Sequence, residues 1–143
     1  MNATNYVKPE YPMSALTGQI IGAAQEVHRQ LGLGFREIIY QRALHCELIQ
    51  RGLDASREQW IDVLYKGEKI GKQRVDFIVA DLTGSVIIEI KAKKLLEDVD
   101  FIQTLSYLKA ARYQVGLLIN FGGKALVTRR LINTKGAVVV DRC

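Results

Sequence analysis

Three residues of this sequence, Asp76, Glu89 and Lys91, have types and spacing that suit chemistry on a metal ion or a charged substrate. Two runs rich in Val, Ile and Phe flank the turn-forming segment 81–84, which predicts a β-hairpin over residues 75–91. If the turn is symmetric about its two central residues, Asp76 lies opposite Glu89. Directly opposed residues have Cβ atoms about 4.5 to 5.5 Å apart, and like charges at that distance destabilise a sheet unless a cation neutralises them. Such a pair is suited to binding a metal ion.

Strand alternation predicts which side chains of the hairpin lie together. Successive side chains point to opposite faces, so Val75 and Phe77 are expected on one face of the first strand and Asp76 on the other. Glu89 and Lys91 share a face of the second strand, and we expect all three charged groups on one face. Isoleucines accompany them, which indicates a covered face on which charges need partners. The pattern leaves open the alternative of a solvated polar surface with weak ion pairs.

The length and composition indicate a single globular unit. With 143 residues, 48% of them hydrophobic, the chain suits one domain spanning 1–143, with residues 1–11 as a loose N-terminal arm. The formal charge of +5 and the pI near 9.3 favour a polyanionic partner and permit nucleic acid. Two cysteines, Cys46 and Cys143, are too few for a disulfide framework or a zinc cluster.

No feature of the sequence indicates a membrane or secreted protein. No apolar stretch approaches the roughly 20 residues that span a bilayer. The N-terminus lacks the basic, apolar and small-residue order of a signal peptide. We therefore expect a cytoplasmic protein without a membrane partner.

The remaining sequence predicts the helices and strands that position the charged residues. Apolar residues at helical spacing predict helices at 14–31, 37–51 and 97–111. Besides the hairpin, apolar runs predict strands at 60–65, 69–79, 115–120 and 125–132 and an edge segment at 137–140. The order ααβββαββ predicts an α/β fold of the mixed α+β type, in which a mixed β-sheet is flanked by helices. The strand at 115–120 follows a helical crossover, which suits parallel pairing.

Three further residues are candidates for a site because of their helical positions. Glu37 falls on the apolar stripe of the second helix, one turn before Tyr40, which predicts a carboxylate that points inward. The alternative is an ordinary N-terminal acid favoured by the helix dipole. Gln103 and Tyr107 are four residues apart and share one face of the third helix, although such a pair is by itself common.

Basic residues precede the hairpin. Lys66, Lys69, Lys72 and Arg74 lie on the turn and on the strand that leads to Asp76. They suit a rim that faces phosphate, and a merely solubilising turn is the alternative.

Four short motifs of this sequence resemble those of a known superfamily. Asp76 with the segment 89–91, EIK, resembles the core of the PD-(D/E)xK nucleases. The segment 34–40, GFREIIY, is similar to the signature of the GxxExxY protein family, which is assigned to that superfamily. Gln103 and Tyr107 resemble the Q-x-x-x-Y element of its exonuclease-like branch. The four motifs are the segment 34–40, Asp76, the segment 89–91 and the pair of Gln103 and Tyr107. They occur in order at suitable spacing, and the resemblance covers nearly the whole chain.

The sequence departs from the family pattern at three positions. Val75 stands where the superfamily name records a proline, and Leu33 stands where family members commonly have one. Asp100 lies near a position that often carries a histidine, which puts any role assigned there in doubt.

The resemblance implies a restriction-endonuclease-like core with a divalent metal. In such nucleases the hairpin carboxylates bind the ion, so the resemblance makes Asp76 and Glu89 metal ligands. It also makes Glu37 a candidate third acid and the backbone carbonyl of Ile90 a further ligand. Hard oxygen donors suit Mg²⁺ or Mn²⁺.

The resemblance also implies catalytic roles for five residues, which are Asp76, Glu89, Lys91, Gln103 and Tyr107. Lys91 would orient the attacking water or offset charge that develops on the phosphate. Gln103 and Tyr107 would hydrogen-bond the phosphate or position the lysine. We therefore expect a metal-dependent nuclease that hydrolyses phosphodiester bonds of DNA, with RNA as the second choice.

Two other classes of function are compatible with the sequence. One is a catalytically weak or inactive nucleic-acid-binding or scaffold protein on the same fold. The other is a purely structural cluster of ion pairs among Asp76, Glu89 and Lys91. A homodimer is plausible, because a small domain presents a narrow surface to duplex DNA and two copies address both strands.

Overall fold

The elements of the fold follow the predicted order. A computed structural model describes residues 13–134 and 137–141. Its helices are α1 (Ser14–Leu31), α2 (Glu37–Gln50) and α3 (Asp98–Ala111). Its strands are β1 (Asp54–Tyr65), β2 (Glu68–Asp81), β3 (Gly84–Lys91), β4 (Val115–Asn120), β5 (Val127–Thr134) and β6 (Ala137–Asp141). The predicted arm at 1–11 and Cys143 lie outside the described residues.

The strands form one mixed sheet in the order β1-β2-β3-β4-β5-β6. Neighbouring strands are antiparallel except β3 and β4, which run parallel on either side of the α3 crossover. The predicted mixed α+β fold with a flanked sheet is therefore confirmed, and the edge segment is the sixth strand. None of the helices in the described ranges is both long and apolar enough to cross a bilayer.

Strand β1 begins earlier than the sequence predicts. The prediction places its start at residue 60, whereas β1 pairs with β2 from Asp54, which lies opposite Ala80. Of residues 54–59 only Ala55 is buried. Because five of these six side chains are polar, the segment lacks the apolar alternation that identifies a strand.

Helices cover both faces of the sheet. The core beneath α1 and α2 includes Ile20, Leu44, Phe77, Val79, Ile88, Ile90 and Leu117. The core beneath α3 includes Ile61, Val75, Ile87, Leu108, Leu118 and Leu131. Ile87 and Ile88 belong to opposite cores, as strand alternation requires. The central strands are therefore buried on both sides.

The hairpin between β2 and β3 has the predicted register. Phe77 pairs with Ile88, and Asp81 pairs with Gly84 across the turn. The side chain of Asp81 accepts hydrogen bonds from the backbone N–H and the hydroxyl of Thr83. This local bonding fixes the turn and hence the register of the whole hairpin.

The alternation along β2 breaks at Asp76, and one prediction is wrong for that reason. Val75 was expected on the same face as Phe77, but it packs in the core beneath α3 while Phe77 packs beneath α1 and α2. The pairing of β2 with β3 ends at Phe77 and Ile88. Beyond that pair β2 and β3 separate. The β1–β2 register also skips Asp76, where Glu58 on the opposite strand has a left-handed backbone with φ 52°, and the regular alternation of side chains is interrupted there.

The segment that follows Lys91 is held against the end of β4. The side chain of Asn120 accepts a hydrogen bond from Lys93 N at 3.0 Å and donates one to Lys93 O at 2.8 Å. Gly122 lies so close that an added Cβ atom would meet the backbone of Lys93 at 2.3 Å, which only glycine permits. Phe121 N donates to Lys91 O at 2.9 Å. These contacts fix the backbone around Lys91.

Asp100 has a structural role at the start of α3. Its carboxylate accepts a hydrogen bond from Glu97 N at 2.8 Å as part of a capping box. It also forms an ion pair with Lys93 at 3.0 Å. The position that departs from the family pattern therefore anchors α3 to the segment after Lys91.

Candidate active site

Asp76 and Glu89 are held beside one another by backbone amides. Asp76 N donates to Glu89 Oε1 at 3.1 Å, and Ile90 N donates to Asp76 Oδ2 at 2.7 Å. Each carboxylate therefore binds the backbone at or next to the other acid. These two bonds occupy amides just beyond the last β2–β3 pair, so the carboxylates lie where the strands separate.

Burial and mutual repulsion dominate the electrostatics of this pair. Glu89 is 6% exposed. Its burial and then the proximity of Asp76 raise the pKa of Glu89 to about 8. Burial also raises the pKa of Asp76, against the opposing effects of the Ile90 amide, Gln41 and Lys91. Because both carboxyl groups resist ionisation, a cation placed between them would be bound with favourable electrostatic energy.

Gln41 is a residue of the site that the sequence analysis missed. Its side chain, which is 5% exposed, donates to Asp76 Oδ1 at 3.1 Å. Arg57 of β1 in turn donates to Gln41 Oε1 at 3.1 Å, which fixes the orientation of the amide. Gln41 therefore positions Asp76 from the α2 side. The signal in the sequence is its place four residues after Glu37, on the same side of the helix.

Glu37 is an exposed residue, whereas its place on the apolar stripe predicted a carboxylate that points inward. Glu37 is the first residue of α2, and Tyr40 is the first fully buried residue of that helix. The first turn extends past the core to the end of the sheet, next to the charged groups of Asp76 and Lys91. Partial desolvation and then Asp76 raise the pKa of Glu37, which places its carboxylate near the pair.

The side chain of Lys91 is oriented by a hydrogen bond to α3. Its Nζ donates to Gln103 Oε1 at 3.2 Å, and Gln103 also bonds the side chain of Tyr107. Burial and then the charge of Glu89 raise the pKa of Tyr107. The residues predicted from helical spacing are therefore brought together with the lysine and close to one of the acids.

The three central charges do not share one face as predicted. Glu89 and Lys91 alternate with residues of the α1–α2 core and face α3, but Asp76 is bound by Gln41 from the α2 side. Within the described part of the chain, Lys91 forms no ion pair with Asp76 or Glu89. The acids and the lysine instead approach the opening between the separating strands from different directions.

The donor set fits a hydrated Mg²⁺ or Mn²⁺ ion. Mg²⁺ is commonly bound through one or two carboxylates together with water and substrate phosphate. Asp76 and Glu89 provide two such groups, and each oxygen that accepts one N–H bond retains a further lone pair. Among the residues described, no group of three or more Asp, Glu, His or Cys side chains is arranged to hold a metal. The geometry therefore fits a two-carboxylate site better than a closed protein cage.

Metal-free wild-type protein is expected to lose stability at high pH, and the Glu89→Gln substitution is expected to abolish that dependence on pH. The folded pKa of about 8 lies above the ordinary value of 4.5. The stability that protonated Glu89 contributes is therefore present below pH 4.5 and is lost as the pH rises through about 8. Glutamine does not titrate, so the free energy of unfolding of the variant should rise relative to wild type by about 2 kcal/mol or more across that range.

Thermal unfolding in EDTA at a series of pH values measures this difference. The control is Glu47→Gln, which removes an acid paired with Arg51 near the other end of α2. A stability difference between Glu89→Gln and wild type that does not change with pH would contradict the prediction.

Comparison with known proteins identifies a family. A family model described as the PD-(D/E)XK nuclease superfamily matches residues 14–131. The solved structure of SSO0001 is similar with a TM-score of 0.43 and 16% sequence identity, covering 86% of this chain and 80% of that chain. A similarity of that size carries no argument about function. No curated protein matches the chain. The narrower likeness to the GxxExxY family stays a prediction.

Proposed function

The chain belongs to the PD-(D/E)XK nuclease superfamily, and from that premise we propose that it is a metal-dependent nuclease that hydrolyses phosphodiester bonds in DNA. One observation carries the proposal. The buried carboxylate of Glu89 and the partly buried carboxylate of Asp76 lie side by side, and the nearby Lys91 pairs with neither. A purely structural cluster would place the ammonium group against the acids, because buried charges need partners.

Asp76 and Glu89 are the proposed ligands of Mg²⁺ or Mn²⁺, with the backbone carbonyl of Ile90 and the carboxylate of Glu37 as further ligands. Such an ion, when bound, supplies a more acidic water and stabilises negative charge on the phosphate. Gln41 and the Ile90 amide hold the carboxylate of Asp76 in one orientation. This preorganisation reduces the cost of binding the ion at the moment of reaction.

Lys91 is proposed to act on the phosphate or on the attacking water. Its ammonium group would offset charge that develops on the phosphate oxygens or orient the attacking water. Gln103 accepts one of its three N–H bonds, and the remaining two N–H groups are available to a substrate. Tyr107 restrains Gln103 through its hydroxyl, so both α3 residues act by positioning the lysine.

The formal charge of +5 supports a nucleic-acid substrate. We propose DNA, with RNA as the second choice, and a homodimer would allow two copies to address both strands of a duplex. The competing proposal is a binding or scaffold protein that retains the fold without cleavage.

Cleavage by the wild-type protein is expected to depend on added divalent metal. Supercoiled plasmid and labelled single-stranded DNA should be cut with Mn²⁺ or Mg²⁺, left intact with EDTA and cut again when excess metal is restored. The physical reason is that Asp76 and Glu89 alone supply no positive charge to the phosphate. A parallel preparation of Glu89→Gln protein controls for contaminating nuclease. Equal cleavage with EDTA and with metal, or DNA binding without any cleavage, would contradict the proposed function.

A further inference from the structure

Strands β1 and β2 continue beyond the end of β3 as a two-stranded arm, defined here as residues 59–75. Pairing of β2 with β3 begins at Phe77, whereas pairing of β1 with β2 extends to Tyr65 and Glu68. Within the described chain the arm residues therefore pair only with one another. The arm leaves the sheet next to Asp76 and ends in an exposed turn.

The two faces of the arm differ. On the inner face, Ile61 and Val75 are 3% and 1% exposed and pack with Leu108 of α3. On the outer face, Trp60 lies opposite Arg74. The inner face thus anchors the arm to α3, and the outer face is open to a partner.

The outer face is predominantly positive. Cross-strand register and alternation place Lys69, Lys72 and Arg74 on it, together with the acid Asp62. Asp62 lies opposite Lys72 and forms an ion pair with Lys69 at 3.2 Å, so this one acid leaves an excess of two positive charges on the face. Lys72 and Arg74 are both exposed. Because side chains two residues apart on a strand are separated by about 6.6 Å, these cations form a row that leads to Asp76.

An exposed aromatic ring lies in this row. The indole of Trp60 is 61% exposed, and the guanidinium of Arg74 lies over it at 5.9 Å from the ring centroid. Exposed aromatic rings beside cations are the combination that binds single-stranded nucleic acid, through base stacking and phosphate contacts.

We propose that the outer face of this arm binds the DNA strand that flanks the scissile phosphate. Lys72 and Arg74 contact its phosphates, and Trp60 stacks on a base. The inference rests on the proposed function, since it names how the same site holds its substrate. Stacking is indifferent to base identity, so the arm contributes affinity and position rather than sequence specificity.

Trp60 is the chain's only tryptophan, so its fluorescence reports on the arm directly. In EDTA, which prevents cleavage, an oligodeoxythymidylate of about 20 nucleotides should quench this fluorescence in a saturable manner. Anisotropy of the labelled oligonucleotide then compares variants. Lys72→Ala with Arg74→Ala should weaken binding at least about tenfold and reduce the slope of log K against log salt by about 1.4. Trp60→Ala should weaken binding by about fivefold or more, and Trp60→Phe should retain most of the affinity.

The matched control is Lys109→Ala with Arg112→Ala, which removes the same charges from the C-terminal end of α3. That end precedes β4, at the opposite end of the sheet from Lys91. Circular dichroism melting verifies that each variant is folded. Equal DNA affinity of the arm variant, the control and wild type would overturn the proposal. Trp60 fluorescence that responds to protein concentration and not to DNA would also overturn it, because the arm would then join two copies of the chain.

A small substrate separates this proposal from the proposed function. Bis-p-nitrophenyl phosphate has no flanking nucleotides, so its hydrolysis by wild-type protein with Mn²⁺ tests the site without the arm. Hydrolysis combined with unchanged DNA affinity of the arm variant would overturn the arm proposal alone. Absence of hydrolysis with loss of DNA affinity in the arm variant would support the arm and count against the nuclease.

Discussion

The Asp76→Asn and Glu89→Gln proteins are each expected to cleave DNA at least about 10³-fold more slowly than wild type. Either change removes one of two negative groups that would hold the ion, while the amide keeps nearly the same size. The buried position of Glu89 makes the loss large, because no water can substitute for its oxygen at 6% exposure. Single-turnover cleavage of a labelled oligonucleotide with Mn²⁺ measures the rate.

The control for this prediction is Glu47→Gln, which changes an acid near the other end of α2 from Glu37. It should cleave at the wild-type rate. Thermal unfolding establishes that the two site variants are folded, and metal-free Glu89→Gln should be the more stable protein at high pH. Cleavage by either site variant within about tenfold of wild type would contradict the assignment of the acids.

The Lys91→Met protein is expected to lose about 10²-fold to 10³-fold in the rate of the chemical step while binding metal normally. Methionine keeps an unbranched apolar stem but removes the ammonium group that faces the substrate. Gln103 loses its donor, although it retains Tyr107 as a partner. Lys91→Arg should recover part of the activity, because it restores the positive charge with a different donor geometry.

Lys109→Met, an exposed position on α3, is the control for the loss of one lysine. Comparing the dependence of the rate on DNA concentration separates binding from chemistry. A Lys91→Met protein with an unchanged maximal rate and weaker DNA binding would show that the lysine only contacts DNA.

The sequence predicted the parts of the fold that local chemistry determines. The turn at 81–84 has side-chain bonds of its own, so it fixed the hairpin register up to the pair of Phe77 and Ile88, directly beyond which Asp76 and Glu89 lie. Strand β4 was recognisable from its short apolar run, which is typical of a strand that is covered on both faces, and all six of its residues are buried. Helical spacing placed Gln103 and Tyr107 on one face of α3, and the resemblance connected them with Lys91. Gln103 bonds Lys91, and Tyr107 bonds Gln103.

Features that depend on tertiary contacts were not predictable in the same way. The break in alternation at Asp76 coincides with the end of β2–β3 pairing and with the left-handed backbone of Glu58 on β1, whereas a strand pattern assumes that regular pairing continues. Glu37 was placed inward because periodicity does not reveal where the sheet beneath a helix ends. Gln41 shares a side of α2 with Glu37, but that spacing does not reveal its role, which depends on Asp76 35 residues away in sequence.

Titration calorimetry with Mn²⁺ on the wild-type, Asp76→Asn and Lys91→Met proteins tests whether the two acids bind a divalent ion. We expect saturable Mn²⁺ binding to the wild-type and Lys91→Met proteins, and an affinity at least about tenfold weaker for Asp76→Asn. It also predicts tighter binding as the pH approaches 8, because the ion must displace the proton that Glu89 retains below its pKa of about 8. Equal Mn²⁺ affinity in the wild-type and Asp76→Asn proteins would contradict a metal site that includes Asp76.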